Sequence, residues 1–116
     1  MTVLIPSLAF ELSFRLVLGH FLGDFLFQTD GMAKGKDCSG RKDRQALTWP
    51  WWMLGHAFVH GGLVYWASQN ALFGAVEVVS HSIVDYGKCR GLYGLWVDQL
   101  LHLACKAAMV GIVLWY

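Results

Sequence analysis

The sequence predicts an all-α integral membrane bundle of about four transmembrane helices, built as a single domain over residues 1–116. Apolar residues make up 56% of the chain and charged residues only 15%, against roughly 45–50% and about 25% in soluble domains. A soluble protein of 116 residues has too little interior to bury that much apolar surface. The chain also contains four apolar stretches separated by polar connections, a pattern that suits lipid as the surrounding solvent.

The first apolar stretch covers residues 8–28 and predicts the first spanning helix, since about 20 residues cross a bilayer as a helix. It lacks the basic start of a cleavable signal peptide. Glu11, Arg15, His20 and Asp24 continue the run where a cleavage site would otherwise be expected. We therefore expect this stretch to remain in the mature protein.

The other three stretches cover residues 49–66, 71–86 and 96–115, and the one at 71–86 is short for a full span. Aromatic side chains open and close the second and the fourth stretch, as in the aromatic belts at membrane interfaces. These interfacial residues are Trp49, Trp51, Trp52, Tyr65, Trp66, Trp96, Trp115 and Tyr116.

The connections between the stretches differ in charge, which predicts the orientation of the bundle. Residues 30–46 and the turn after the third stretch are basic, whereas residues 68–70 carry no charge. In an up-down topology both basic connections lie on one side, and the positive-inside rule assigns that side to the cytoplasm, with both termini outside. The basic residues concerned are Lys34, Lys36, Arg41, Lys42, Arg44, Lys88 and Arg90.

Net charge and cysteine content add two expectations about partners and redox state. A formal net charge of +1 gives no indication of a nucleic-acid partner, so the lipid bilayer is the partner that the composition predicts. Cys38, Cys89 and Cys105 form no CxxC pair and are odd in number. We expect reduced thiols without a structural role.

Every one of the five histidines has a carboxylate or another histidine four residues away. A four-residue step on a helix turns by only about 40° and rises about 6 Å, so each helix presents one polar stripe. The pairs are His20 with Asp24, His56 with His60, His81 with Asp85, and Asp98 with His102, while Glu77 and Lys106 extend the last two.

The polar stripes also agree in depth. At about 1.5 Å per residue, counting inward from the basic end of each helix brings one histidine per helix to a similar level below the cytoplasmic surface. The sequence therefore predicts one buried cluster, to which His20, His56, His81 and His102 contribute.

Ionisable groups inside a membrane are costly, usually face the bundle interior and mark functional sites. Imidazole and carboxylate groups from facing helices suit a divalent metal ion, with zinc first and iron or manganese as alternatives. The predicted metal ligands are His20, Asp24, His56, His60, His81, Asp85, Asp98 and His102, with Glu77 as the candidate catalytic base. This number of ligands allows two ions.

Glu11 and Arg15 lie deep in the first stretch, on a different face from the stripe of His20 and Asp24. They either pair with each other across one helical turn or face a second copy of the protein in a homo-oligomer. Small residues that permit close helix packing are Gly55, Gly61, Gly62, Gly74, Ala104, Ala108 and Gly111, although most match ordinary membrane-helix composition.

Four segments occur in an order that resembles a known family. They are His20-Phe-Leu-Gly-Asp-Phe-Leu-Phe-Gln-Thr29, His56-Ala-Phe-Val-His-Gly61, His81-Ser-Ile-Val-Asp-Tyr-Gly-Lys88 and Asp98-Gln-Leu-Leu-His102. Together they resemble the uncharacterised bacterial and phage membrane family known as domain of unknown function 3307. The resemblance implies a membrane fold and a bacterial or phage origin, hence the bacterial inner membrane, but no activity. A looser likeness to predicted membrane-bound metal-dependent hydrolases carries no residue over.

Three functions are open for the predicted cluster. A metal-dependent hydrolase opening to the cytoplasmic leaflet needs a metal with an open coordination position reached from one side. A transporter or channel for protons or divalent cations needs the same residues as a relay across the membrane. A structural or phage-encoded interaction protein needs the network only to hold its helices together. The polar residues end mid-membrane, which favours the one-sided hydrolase site.

Overall fold

The computed structural model describes residues 4–38 and 45–116, and the regular structure of these residues is entirely helical. The predicted all-α class is therefore confirmed, and helices occupy all four predicted apolar stretches. The elements in chain order are α1 (Leu4–Phe21), a π-helix (Leu22–Leu26), α2 (Asp30–Gly35), α3 (Gln45–Ser68), α4 (Ala71–Cys89) and α5 (Leu95–Trp115).

The short helix α2 lies in a segment whose charges predicted a polar connection. It begins there because the Thr29 side chain accepts a hydrogen bond from the Met32 amide at 3.1 Å and caps the first turn. The prediction used only the charges of this segment and not its capping residue. Arg41, Lys42 and Arg44 of the same basic connection lie outside the described residues.

The four long helices form a ring in which α3 and α5 each pack against α1 and α4. Neighbours run antiparallel, as an up-down topology requires. A Cβ added at Gly61 would lie 2.8 Å from the Gly74 carbonyl oxygen, and one added at Gly74 would lie 2.9 Å from that of Gly61. These two glycines let the α3 and α4 backbones touch. At Gly55, Gly62 and Gly111 an added Cβ would meet no described atom within 4 Å.

The burial pattern is inverted relative to that of a soluble protein. All five histidines, together with Glu77, Asp98 and Lys106, are at most 2% exposed. Large apolar side chains cover the outside instead, and Phe10, Phe25, Trp51 and Leu72 are 69–75% exposed. The described residues therefore have a polar centre and an apolar surface.

By length and composition, one helix among the described residues is apolar enough to cross a membrane. This helix is Leu95–Trp115, and 22% of its most apolar stretch is buried. The structure thus includes a possible membrane helix, while the bundle of four spans stays a prediction. In α4, the charged residues Glu77, Asp85 and Lys88 lower the mean hydropathy, whereas α3 contains no Asp, Glu, Lys or Arg.

A disulfide between Cys38 and Cys89 joins the segment after α2 to the end of α4, with a Cα–Cα distance of 5.9 Å. The expectation of reduced, incidental thiols was wrong for these two residues, and only Cys105 is a free thiol among the described cysteines. The partners are 51 residues apart, and pairing over such a distance cannot be read from cysteine spacing. The bond brings the two basic connections to the same end of the bundle, as the topology predicted.

Candidate metal centre in the helix bundle

Five histidines from four helices form one cluster inside the bundle. His60 and His81 stack with ring centroids 3.8 Å apart, and His81 and His102 stack at 4.1 Å. His56 lies 4.7 Å from His60, and His20 lies 5.4 Å from both His60 and His102. The predicted agreement in depth is confirmed, since α1, α3, α4 and α5 each bring a ring to this level.

Asp24 contacts three of these rings from the π-helix. Its Oδ1 lies 2.9 Å from His60 Nε2 and 3.3 Å from His56 Nε2, and its Oδ2 lies 3.4 Å from His20 Nε2. A π-helix widens the turn and is frequent at functional sites. Gly23 permits the close approach to α3, because an added Cβ would lie 2.5 Å from the His60 ring.

Asp85 connects the other side of the cluster from α4. Its Oδ1 lies 3.1 Å from His102 Nε2, and its Oδ2 lies 3.6 Å from His81 Nε2 and 3.7 Å from His56 Nε2. The same Oδ2 accepts a hydrogen bond from Lys36 Nζ at 3.0 Å. Asp85 therefore links rings from three helices to a lysine at the basic end of the bundle.

The first turns of α5 add a further carboxylate and an amide. Asp98 Oδ1 lies 3.5 Å from His102 Nε2. The Gln99 amide nitrogen donates to Asp24 Oδ2 at 3.0 Å and to Asp98 Oδ2 at 3.1 Å, and the Gln99 Oε1 lies 2.9 Å from His20 Nε2. Gln99 thus connects the carboxylate of the π-helix to that of α5.

One turn deeper in the bundle, Glu77 and Lys106 form a buried ion pair. Lys106 Nζ donates to Glu77 Oε1 at 2.7 Å, and this oxygen lies 3.2 Å from His81 Nδ1. A carboxylate at one ring nitrogen fixes the orientation of the imidazole and leaves the other nitrogen for a ligand. In this ring the other nitrogen, Nε2, faces Asp85.

An apolar cluster lies beyond the ion pair, towards the end of the bundle opposite the basic connections. Its buried members lie about one to two helical turns past His20, His60 and Lys106 on α1, α3 and α5. None of them is more than 4% exposed, and they are Leu16, Val64, Ala67 and Met109. Within the described residues, the polar interior ends at this cluster.

Several buried polar atoms in the histidine cluster have no hydrogen-bonding partner among the described residues. They are Nδ1 of His20, both ring nitrogens of His56, Nε2 of His81, Oδ1 of Asp98 and Oε2 of Glu77. Buried polar groups are nearly always satisfied in native proteins. A bound cation would satisfy imidazole nitrogens and carboxylate oxygens together.

Two groups of side chains that share no residue have the composition of metal sites. In each group, one ligand atom per residue lies within 4.8 Å of the others: the first ligand set is Asp24, His56, His60 and His81, and the second ligand set is Asp85, Asp98 and His102. A third combination, Glu77 with His81 and His102, overlaps both. Histidine with carboxylate ligands fits zinc, and also iron or manganese.

All eight predicted ligands and Glu77 lie in or against this cluster, whereas metal binding by them stays a prediction. His20 belongs to neither ligand set. Gln99 and Lys36 were not predicted as members of the site. Gln99 directly follows Asp98, which was the available signal, and Lys36 was considered only as a charge that sets topology.

Glu11 and Arg15 form an ion pair with each other on the outer face of α1. Their side chains are 57% and 45% exposed, so they lie away from the histidine cluster. This confirms the first of the two predicted arrangements for the pair. A second copy of the protein against this face stays a prediction.

The model of one protein family, described as Protein of unknown function (DUF3307), matches residues 12–116 of the chain. The matched region contains every residue of the histidine cluster and all four sequence segments that carried the resemblance. No curated protein and no solved structure matches the chain. The description of this family names no activity.

Proposed function

We propose that this protein, which belongs to the family described as Protein of unknown function (DUF3307), is a metal-dependent hydrolase whose site lies inside a membrane helix bundle. The observation that carries the proposal is the convergence of two ligand sets without a shared residue. Asp85 of the second set lies 3.6 Å from His81 of the first, so two ions would be neighbours. Paired divalent ions are a common arrangement in hydrolytic sites.

The inverted burial pattern supports a multi-pass membrane bundle, in which α1 with the π-helix, α3, α4 and α5 are the four spans. Exposed Phe and Leu side chains would contact acyl chains, and buried histidines would face the bundle interior. The proposed location is the bacterial inner membrane, with Lys34, Lys36 and Lys88 on the cytoplasmic side. Zinc is the proposed ion, and iron or manganese would fit the same donors.

The residues of the two ligand sets, together with Gln99 and Glu77, have defined parts in this proposal. The two ligand sets would hold the ions, which would supply Lewis acidity and lower the pKa of a water molecule at the site towards neutrality. Gln99 orients Asp24 and Asp98 by donating to both carboxylates. Glu77, the candidate base, contacts His81 Nδ1 and Lys106, and these contacts favour a positioning role for Glu77 over proton transfer from water.

Transport of protons or divalent cations is the alternative function for the same residues. It requires polar groups that continue to the opposite face of the bundle. The apolar cluster of Leu16, Val64, Ala67 and Met109 interrupts such a path, which supports a one-sided site. Zinc or proton flux in liposomes that is lost in Asp85→Asn would overturn the hydrolase proposal in favour of transport.

Metal analysis of the purified protein tests the proposal directly. We expect up to two zinc or other divalent transition ions per chain. His56→Ala removes a ligand of the first set only and Asp98→Ala one of the second only, so each variant should lose about one ion, because losing one ligand weakens the remaining ones. Asp30→Ala, an exposed carboxylate on α2, is the control and should retain the full content.

If the histidine cluster is only a structural network, the protein should fold without any bound metal. A folded, metal-free protein that cannot be reloaded with zinc, iron or manganese would contradict the metal centre. With metal content established, hydrolysis of phosphoesters should require the loaded protein and stop when a chelator removes the ions. Full metal loading without hydrolysis of any phosphoester or carboxylic ester would contradict the enzymatic part alone.

A further inference from the structure

A cavity of about 430 Å³ opens beside the histidine cluster, lined by residues of the π-helix, the end of α4 and the start of α5. We call it the lateral cavity. Asp24, Asp85 and Asp98 line it. Asp24 belongs to the first ligand set, and Asp85 and Asp98 belong to the second. A molecule in the lateral cavity therefore lies directly against the proposed metal centre.

Two lysines also line the lateral cavity. Lys36 Nζ donates to Asp85 Oδ2 at 3.0 Å, and Lys88 Nζ lies 3.9 Å from Asp98 Oδ2. Their side chains are 20% and 43% exposed, so both remain accessible from the basic end of the bundle. A divalent ion at Asp85 or Asp98 would compete with these ammonium groups for the same carboxylate oxygens, which would free the lysines to bind another anion.

The charge balance of the site favours an anionic ligand. Four carboxylates, from Asp24, Glu77, Asp85 and Asp98, are matched by three lysines, Lys36, Lys88 and Lys106. Two divalent ions would therefore leave the site with a net charge of about +3 when the ions are counted among its charges. Phosphate carries enough negative charge and enough acceptor oxygens to bind both lysines and ions.

The remaining wall of the lateral cavity is apolar and continues onto the outer surface. Phe21, Phe25 and Leu100 line it and are 46%, 73% and 64% exposed. Trp96 also lines it and is 83% exposed, as expected of an aromatic residue at a membrane interface. A ligand with an anionic head and an apolar tail would satisfy both walls at once.

We propose that the lateral cavity binds a lipid phosphate monoester, with the phosphate on Lys36 and Lys88 and the acyl chains against Phe21, Phe25 and Leu100. This inference rests on the proposed function, because the ions supply part of the positive charge, and it names the substrate class. In the reaction, the water oxygen bonds to phosphorus and the bond from phosphorus to the lipid oxygen breaks. One water proton passes to the lipid oxygen, which gives a lipid alcohol and inorganic phosphate.

Binding to the zinc-loaded protein in a non-ionic detergent tests the proposal with three probes. Dioctanoyl phosphatidic acid, used as its non-hydrolysable phosphonate so that no turnover contributes heat, carries both features. Glycerol 3-phosphate, in the same phosphonate form, has only the phosphate, and dioctanoylglycerol has only the acyl chains. Isothermal titration calorimetry should give a dissociation constant for the first probe at least about tenfold lower than for either other probe. Equal binding of glycerol 3-phosphate would identify a water-soluble ligand, and equal binding of dioctanoylglycerol would exclude phosphate recognition. Either result overturns the proposal.

Matched lysine variants connect the binding to this cavity. Lys36→Gln and Lys88→Gln should each weaken binding of dioctanoyl phosphatidic acid about tenfold, as expected for one charge-assisted hydrogen bond. Lys34→Gln and Arg90→Gln remove the same charge from the same end of the bundle but outside the lateral cavity, and should leave binding unchanged. Equal weakening in all four variants would reduce the effect to general surface charge and overturn the proposal.

Metal content, measured on the same preparations, separates this inference from the proposed function. We expect Lys36→Gln and Lys88→Gln to keep the metal content of the unsubstituted protein, because neither residue belongs to a ligand set. If no preparation contains or accepts metal, the metal centre is wrong. In that case, binding of dioctanoyl phosphatidic acid that depends on the two lysines would still support the lipid site, and its absence would refute it.

Discussion

Glu77 and Lys106 carry the most deeply placed opposite charges of the cluster, with side chains 1% and 3% exposed. A buried ion pair adds little net stability by itself, yet removing one partner leaves an uncompensated charge that costs several kcal/mol. At the scale of single residues, replacing Glu77 or Lys106 alone should therefore cost more stability than breaking the partly exposed Lys36–Asp85 pair.

Lys106→Met should lower the free energy of unfolding by about 3–5 kcal/mol, since Glu77 then lacks its cationic partner. The double variant Glu77→Gln/Lys106→Met should recover much of this loss because no charge remains unpaired. Chemical unfolding in detergent micelles measures both, with Arg90→Met at an exposed turn as the control. A double variant as unstable as Lys106→Met would contradict this account.

The four-residue spacing of histidines and carboxylates was sufficient to predict the residues of both ligand sets, because both helix rotation and helix rise follow from sequence separation. The same spacing also predicted His20, which belongs to neither set. The same logic missed Lys36, which reaches Asp85 from a residue 49 positions away. It also left the roles within the cluster undecided, since which nitrogen of His81 meets Glu77 depends on tertiary packing. Spacing predicts which side chains share a face and not which atoms meet.

At the scale of elements, the α3–α4 contact depends on Gly61 and Gly74. Gly61 is followed by a second glycine, Gly62, that takes no part in this contact. An added Cβ at Gly61 would lie 2.4 Å from Val78 Cγ2 and 2.8 Å from the Gly74 carbonyl oxygen, while the adjacent Gly62 has no described atom within 4 Å. Gly61 and Gly62 therefore form a matched pair for testing how closely α3 and α4 must pack.

Gly61→Ala should destabilise the bundle by about 1–3 kcal/mol, the usual cost of overpacking, and reduce metal content because His60 and His81 shift with their helices. Gly62→Ala should be neutral or stabilise the fold by up to about 1 kcal/mol, since alanine has the higher helix propensity. Thermal unfolding and metal analysis of both variants provide the comparison. Equal effects at the two positions would show that the backbone contact is unimportant.

The long helices were predicted within a few residues by their apolar runs and aromatic ends, but the π-helix was not. Its local sequence, from Leu22 to Leu26, has no feature that separates it from a continuation of α1. The wider turn is accounted for by long-range contacts, in particular Asp24 with His60 and Gly23 beneath the His60 ring. Such contacts are invisible to local propensity.

At the scale of the whole molecule, the Cys38–Cys89 pair offers a test of the proposed orientation of the basic connections in a bacterial membrane. Bacterial cytosol keeps thiols reduced, whereas the periplasm favours disulfides. If the basic connections are cytoplasmic, the Cys38–Cys89 bond would form only after the protein leaves the reducing cytosol. Protein denatured directly from cells under acid quench should then react with a maleimide reagent at all three cysteines. Air-oxidised purified protein should react only at Cys105.

Gel shifts with a polyethylene-glycol maleimide count the reactive thiols, and Cys105→Ser provides the control by removing one shift from each sample. Reaction at Cys105 alone in protein taken directly from cells would place the basic connections in an oxidising compartment. The orientation given by the positive-inside rule would then be wrong, and the lateral cavity would open to the periplasm.

The α3–α4 hairpin, closed by a connection of only Gln69 and Asn70, also has a consequence for biogenesis. Contacts between elements close in sequence form before contacts between distant ones, so the hairpin gathers its four ligands early: His56, His60, His81 and Asp85. Asp24 arrives with the π-helix, and Asp98 and His102 arrive with α5, which is synthesised after the hairpin. Neither ligand set is complete until these outer helices dock, so metal capture would be the final step of assembly and would lock the finished bundle against reopening.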